Sequence, residues 1–289
     1  MPEGPEVQQV LNSLAPKVVD RSIVKATVLH PKITIPLKKA GRQDSELFCR
    51  RLEGAVVRKM ERKGKYLIFQ CEQADASKHY LVSHLGMTGA FFHVNHLGEI
   101  AANYAKHIHA VFKLDDASVI AYSDQRRFGW VGMLNEEEYT SYHPVQKVGP
   151  DPADEDASKV FLENIRKKGY ANKPIKRIIM LPEVIQGVGN IYAAECLFRA
   201  KIHPSTPVEE IKDEKLLELL GHIKNTFELA IQMGGSSIRD YVNSEGIKGT
   251  FQELHQVYNK QHCPDCGNTL ENVKIDNRSS YFCPECQKQ

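Results

Sequence analysis

Nothing in the 289 residues resembles a membrane span, since no run of about 18 apolar residues is present. The N-terminus also lacks the basic-then-apolar order of a secretory signal. The chain therefore reads as soluble and intracellular. A charge imbalance is missing too: 38 basic and 36 acidic residues leave a formal net charge of +2. Overall charge thus gives no reason to expect a polyanionic partner, and such a partner has to be argued from local patches. There is no internal repeat and no low-complexity tract, which leaves ordinary globular domains. A disulfide framework is excluded by the cysteines. Cys49, Cys71 and Cys196 are scattered, whereas Cys263, Cys266, Cys283 and Cys286 form two tight pairs. An odd total with that clustering argues for metal.

The length suits two domains, each able to bury a core. Behind Pro5, the residues Val7, Val10, Leu11 and Leu14 recur at helical spacing and predict a short amphipathic helix near the start. From about 20 to 134 the pattern is strand-like. VVRKMERKGKYLIFQ breaks at Gly64, HYLVSHLGMTGAFFHV follows, and HAVFKLDDASVIAY turns at Asp115 and Asp116. Residues 1–134 are therefore expected to form an antiparallel β-sandwich. The polar stretch 135–157, rich in Pro and acid, is expected to be the interdomain linker. Beyond it the period becomes helical, through VFLENIRKKGY, IYAAECLFRA and a segment with Leu216, Leu220, Ile223 and Phe227 that ends at Gly234 and Gly235. The fold class is α+β.

The tail, from 251 to 289, carries C-x2-C, sixteen intervening residues and a second C-x2-C. Two such knuckles bring four thiolates to a tetrahedron suited to one zinc with no open position, so the site is structural. Arg278, five residues before Cys283, would ride on that hairpin, although by position alone it reads as a solvated arginine.

Between 165 and 177, IRKKGYANKPIKR has six basic residues and no acidic one. Such a run suits phosphate contact, yet charge runs are commonly just solvated faces. Next comes PEVIQGVGNIYAAECLF, where Gly187 and Gly189 would turn the chain before a helix. A glycine turn at a helix N-terminus offers free N–H groups and a positive dipole end to an anion such as a phosphate.

The chain as a whole resembles formamidopyrimidine-DNA glycosylase, in the superfamily shared with endonuclease VIII. MPEGPEV, KGKYL, SHLGMTG, KHIHAVF, SDQRRFG, GVGNIYAAECLF, SEGIKGTF and the cysteine hairpin carry the resemblance, in that order. It implies an N-terminal β-sandwich, a helix-two-turn-helix module over 158–250 and a zinc-finger hairpin, with double-stranded DNA bound between domains. It also implies a monomeric repair enzyme acting on oxidised bases or abasic sites. A bacterial cytoplasm, on the nucleoid, is the expected location.

The resemblance further implies that Met1 is removed and that the amine of Pro2 attacks C1′ of the damaged nucleotide. An α-amino group titrates near ~8, so a fraction is neutral and nucleophilic at neutral pH. Glu3 matches the general acid, and Glu6 a second carboxylate of the same segment, although acidic residues are ordinary in a first helical turn. Lys65 matches a lysine that assists β-elimination, and Arg278 the zinc-loop arginine that aids δ-elimination. Met87, Arg126 and Phe128 match the trio that fills the gap left by an everted base; in isolation Met87 and Phe128 would be assigned to the core. His107, Lys176 and Asn190 match DNA-backbone contacts.

Three departures stand out. Gly4 replaces the leucine usual in the purine-specific branch and makes the opening closer to endonuclease VIII. Thr250 stands where an aromatic is common, and Leu181–Pro182 where the family often has Asp and a polar residue. HLGMTG, RRFG and the loop from about Val242 to Phe251, which would cover an everted purine, favour 8-oxoguanine and ring-opened purines. The alternatives are an enzyme for oxidised pyrimidines, argued by Gly4, and a zinc-dependent lesion-binding protein without catalysis.

Overall fold

The computed structural model describes residues 2–37, 41–238 and 240–288. They pack into two compact units. The first consists chiefly of Glu6–Gln146 and Gly234–Gly249, and the second chiefly of Glu3–Pro5, Lys147–Met233 and the tail from Thr250.

The first helix, α1 (Gly4–Val18), follows from the predicted spacing. Val7, Val10, Leu14 and Val18 face inward, each at most 1% exposed. Glu6 in its first turn and Lys17 in its last complement the helix dipole. There follow β1 (Ile23–Val28), the short ladder β2 (Pro36–Leu37) with β3 (Gly41–Arg42), and α2 (Ser45–Leu52). The remaining strands of this unit are β4 (Val56–Lys63), β5 (Tyr66–Glu72), β6 (Lys78–His84), β7 (Gly89–Val94), β8 (Ile108–Leu114), β9 (Val119–Asp124) and β10 (Trp130–Asn135), with the one-turn α3 (Ala102–Ala105) before β8. Two antiparallel sheets result, ordered β1-β8-β9-β7 and β10-β6-β5-β4. Phe69, Leu81, Phe91, Phe112, Tyr122 and Met133 fill their shared core together with the apolar face of α1, as a sandwich requires. The chain crosses between the sheets once by the long route from β1 to β4 through β2, β3 and α2, and twice by tight corners, at Leu85–Thr88 and at Gln125–Gly129. The motifs HLGMTG and DQRRFG are those two corners.

The expected linker is not a plain linker. Residues 136–146 form α4 (Glu136–Thr140) and α5 (His143–Gln146), both in the first unit. Asn135 and Glu138 make a reciprocal capping box, Glu138 pairs with Arg51 at 2.6 Å, and Tyr139 stacks on Tyr80 at 3.9 Å. The polar look of NEEEYTSY is a helix cap. The expected boundary at 250 also shifts, because 234–249 packs with the first unit.

The second unit contains α6 (Ala157–Ile165), α7 (Ile175–Ile179), α8 (Asn190–Arg199) and α9 (Asp213–Gln232) around Phe161, Ile179, Tyr192, Leu197, Ile223 and Phe227. The hairpin β11 (Glu271–Ile275) and β12 (Arg278–Phe282) turns on Asp276 and Asn277, both at positive φ (52° and 60°). That two-residue turn matches the twist of the strands and sets Arg278 at its shoulder. The route to the hairpin is fixed by Glu195, which is fully buried in α8. Its carboxylate accepts from Arg199 Nη1 (2.8 Å) and from the backbone N–H groups of Gln256 (2.9 Å), Val257 (2.9 Å) and Tyr258 (2.8 Å).

Replacing Glu195 by Ala leaves those buried donors without an acceptor. We expect a loss of about 3 kcal/mol in unfolding free energy, measured by urea denaturation; a change below about 1 kcal/mol would show that the clamp is not needed.

Candidate active site

Glu3 is 2% exposed and lies across the N-terminus of α8. Its Oε1 accepts from Ile191 N at 3.0 Å and its Oε2 from Tyr192 N at 3.3 Å. Gly189 is the residue before the helix, and a Cβ there would collide with the Glu3 carboxylate. Gly187 (φ +80°) accepts the Gly4 N–H on its carbonyl at 2.9 Å. The glycine turn read from the sequence as a phosphate cradle thus binds an anion, but that anion is the chain's own Glu3. A carboxylate completes the orphan N–H groups and meets the positive dipole end as a phosphate would. Beside it, Asn190 has a buried side-chain oxygen with no hydrogen-bond partner among the described residues.

In the first unit, Pro2 is buried, and Met1 lies outside the described residues. Glu6 is 1% exposed; its Oε1 accepts from Ser236 N at 2.7 Å, and its carbonyl accepts from the Tyr241 hydroxyl at 3.1 Å. Burial, and then the Glu6 charge, push the Tyr241 phenol well above its usual range.

Lys65 occupies the second position of a two-residue hairpin loop between Lys63 and Tyr66, with Gly64 before it at φ +61°. Gly at the first position is what that turn needs. Arg62 fixes the turn, donating to Gly64 O at 3.0 Å and to Gln8 Oε1 on α1 at 2.9 Å. His84, which the sequence reading did not single out, stands opposite Tyr66 in the ladder, between the Tyr66 and Trp130 rings. Burial first, and the Lys65 charge second, hold its imidazole down to about 4. Only its place inside SHLGMTG could have flagged it.

The two sheet-changing corners meet. A Cβ on Gly86 would run into the backbone of Phe128 and Gly129. The buried Asp124 carboxylate straps both corners, accepting from Thr88 Oγ1, Arg126 N (3.1 Å) and Gly129 N (2.8 Å). Met87 and Phe128 are not core residues: they are 39% and 57% exposed, and the Arg126 guanidinium lies 4.6 Å from the Phe128 ring centre. An apolar side chain and an aromatic held at the surface by a rigid strap are costly to leave in water without a use. His107 sits nearby, its carbonyl accepting from Asp124 N (3.0 Å) and its buried Nε2 having no partner among the described residues.

Half of the basic run is committed to acceptors within the second unit. Arg166 donates to Val208 O and Asp213, and Arg177 pairs with Asp276 at 3.7 Å. Lys176 is 1% exposed, and its Nζ donates to Ser279 O (2.6 Å) and Ser280 Oγ (2.7 Å) on the hairpin. Burial lowers its pKa to about 8, against the attraction of Glu3 and with the repulsion of Arg278. Lys176 therefore braces the strand that carries Arg278, while Arg278 itself is exposed, with Met180 Sδ at 4.0 Å. The sulfurs of Cys263, Cys266, Cys283 and Cys286 all lie within 4.8 Å of one another, with contacts of 3.5 and 3.8 Å. Ligands about 2.3 Å from a tetrahedral zinc stand roughly 3.8 Å apart, so the four residues fit one structural zinc. Gln287 locks the second knuckle to the end of α8 by accepting from Cys283 N and donating to Ile202 O.

Comparison with known proteins agrees with this arrangement along the whole chain. Residues 1–131 match the formamidopyrimidine-DNA glycosylase N-terminal domain, 148–242 the formamidopyrimidine-DNA glycosylase H2TH domain, and 260–289 the zinc finger found in FPG and IleRS. The formamidopyrimidine-DNA glycosylase of Bacillus subtilis is 33% identical over 290 residues, covering 99% of each chain. Wild-type Lactococcus lactis Fpg in complex with N7-benzyl-Fapy-dG DNA superposes with a TM-score of 0.84 at 31% identity over 100% of both chains. A complex of the same protein with abasic-site DNA gives 0.84 at 31% identity, covering 99% of this chain and 100% of that one.

Two outcomes follow from the site's chemistry. Chelating the zinc removes the energy that folds the hairpin, so amide exchange should rise across 263–286 while the sandwich strands stay protected. Persistent protection of the hairpin after verified zinc loss would refute this. His84 should stay neutral to about pH 4, whereas an unfolded histidine takes up its proton near ~6.5. Its contribution to stability is then complete above pH 6.5 and lost as pH falls toward 4. NMR titration of the ring checks this, and the midpoint should rise in Lys65→Met; a midpoint at or above the ordinary value would contradict the assigned cause.

Proposed function

The chain belongs to the formamidopyrimidine-DNA glycosylase family, and from that premise we propose that it is a bifunctional DNA glycosylase and AP lyase of base excision repair. Its substrates are oxidised purines, 8-oxoguanine and formamidopyrimidines, and abasic sites in double-stranded DNA. The observation that carries this reading is Glu3, fixed by two helix N–H groups in the residue after Pro2. The relatives are bacterial, which supports a cytoplasmic site of action on the nucleoid.

With Met1 removed, the Pro2 nitrogen forms a bond to C1′ as the glycosidic bond breaks and the base departs. The proton that the Pro2 nitrogen sheds on forming this bond passes by way of the Glu3 carboxylate to the sugar ring oxygen, the bond from that oxygen to C1′ breaks, and the opened ring is left as an iminium. This secondary-amine adduct has no N–H proton to lose, so it stays cationic and draws electrons from C2′. Loss of a C2′ proton expels the 3′ phosphate, and a second elimination expels the 5′ phosphate. Glu3 serves the ring oxygen, and Lys65 and Arg278 supply the persistent cations that departing phosphates need. Met87, Arg126 and Phe128 replace the stacking and pairing lost when the base is everted. His107 and Asn190, each with a buried unpartnered polar atom, contact the DNA backbone; amide orientation at Asn190 is interchangeable, so its NH2 can face a phosphate. Lys176 acts at one remove, by holding the hairpin of Arg278.

Borohydride reduction on a duplex with 8-oxoguanine opposite cytosine tests this. A covalent protein–DNA adduct should form and map to Pro2, and Glu3→Gln should bind the duplex yet nick it about 10²–10⁴-fold more slowly. An adduct mapping to a lysine side chain, or unchanged nicking by Glu3→Gln, would overturn the assignment.

A further inference from the structure

One face of α1 bears a set of contacts that the proposed chemistry leaves unused. Glu6, Ser13 and Lys17 are spaced by seven and four residues, which places them in one row along the helix. All three hold residues between Ser236 and Glu245: Ser236 itself, Tyr241, Ser244 and Glu245. Glu6 takes Ser236 N and the Tyr241 hydroxyl. Two turns on, Ser13 Oγ accepts from Ser244 N (3.1 Å) and Ser244 Oγ (2.7 Å), while its own proton goes to Gln9 O (3.0 Å) or Val10 O (3.2 Å). One hydroxyl has a single donor and two acceptor positions, so Ser13 is fully used. One turn further, Lys17 Nζ meets Glu245 Oε1 at 2.5 Å.

The segment itself is built as a rigid tip. Asn243 Oδ1 accepts from Glu245 N and Ile247 N, Asn243 N donates to Ile247 O, and Gly246 takes φ +79°. Ser244 is fully buried, its carbonyl accepting from His93 N on β7. At the tip, Ile247 is 57% exposed, and Ile238 in the same segment is 42% exposed. The loop thus holds Ile247 open to solvent on a tightly hydrogen-bonded frame.

We propose that Ser13 and Lys17 are positioning residues for lesion selectivity: they register the 242–249 loop against α1, so that its tip closes over an everted oxidised purine. The inference rests on the purine reading above. It separates base release from strand cleavage, because an abasic site has no base to cover. The latch should matter for the first step on a damaged purine and be idle when the base is already gone.

The test is single-turnover cleavage of two duplexes, one with 8-oxoguanine and one with an abasic site, by wild type, Ser13→Ala, Ser13→Thr and Ser13→Ala/Lys17→Ala. We expect the double variant to lose at least tenfold in base release and less than twofold on the abasic duplex, with Ser13→Thr restoring the rate because it keeps the hydroxyl. Amide exchange at Ser244 and Ile247 should rise at least tenfold in Ser13→Ala without DNA. Equal losses on both duplexes, or unchanged exchange with unchanged base release, would overturn the latch. If wild type cuts the abasic duplex but releases no 8-oxoguanine, the purine reading fails, and the exchange result alone then decides whether Ser13 holds the loop.

Discussion

The second unit depends on a single carboxylate at a helix N-terminus. Four N–H groups at the start of a helix have no partner within it, and α8 meets two of them with Glu3, a residue 188 positions away from Ile191. The geometry admits no side chain at position 189, because any Cβ would occupy the carboxylate's place. The pairing also explains why Gly187 takes φ +80°: the turn aims its carbonyl at Gly4 N and so aligns the segment with the helix end. Glu3 is thereby given one orientation, which the role proposed for it requires.

The fold was largely legible from periodicity. Val7, Val10 and Leu14 announced α1, and the alternation around Gly64 announced a hairpin whose turn carries Lys65. The four cysteines were legible because spacing alone constrains thiolate geometry. What the sequence could not display were pairings between distant residues. GVGN was recognised as an anion cradle, but nothing local says that the anion is Glu3. Without the family resemblance Met87 and Phe128 would read as core, because hydrophobicity is a local property; their exposure arises from Asp124, Thr88 and Gly129, which pin two corners that only the sheet topology brings together. The stretch after 135 looked like a linker because helix-capping residues and linker residues share a composition.

Charge follows the same division. A net charge of +2 conceals how the cations are used. In the run 165–177, Arg166, Lys176 and Arg177 are all committed to protein acceptors, so half of an apparent phosphate-binding patch is internal scaffolding. Lys176 is the instructive case. Its ammonium is buried at a cost large enough to bring its pKa to about 8, which the attraction of Glu3 offsets only in part. Arg278 is left open on that hairpin, presented by the turn at Asp276 and Asn277. A buried lysine thus acts on an exposed arginine through the strand that both hold.

The same reasoning settles what Gly4 signifies. Leucine is usual at this position in the purine-specific branch, and its absence was the one feature pointing to oxidised pyrimidines. In the structure a Cβ at position 4 would stand 2.8 Å from Phe227 Cε2 and 3.0 Å from Gly187 Cα. Phe227 is 4% exposed and lies edge-on to Tyr192 at 5.1 Å, so its ring cannot withdraw without opening the core of α8 and α9. Gly4 and Phe227 are therefore a matched small and large pair, in which the ring takes the space that a larger side chain at position 4 would fill. The glycine at position 4 is thus accounted for by packing against its own core. Lesion preference has to be sought where side chains are held open to solvent, at the two strapped corners and at the tip of the loop latched to α1.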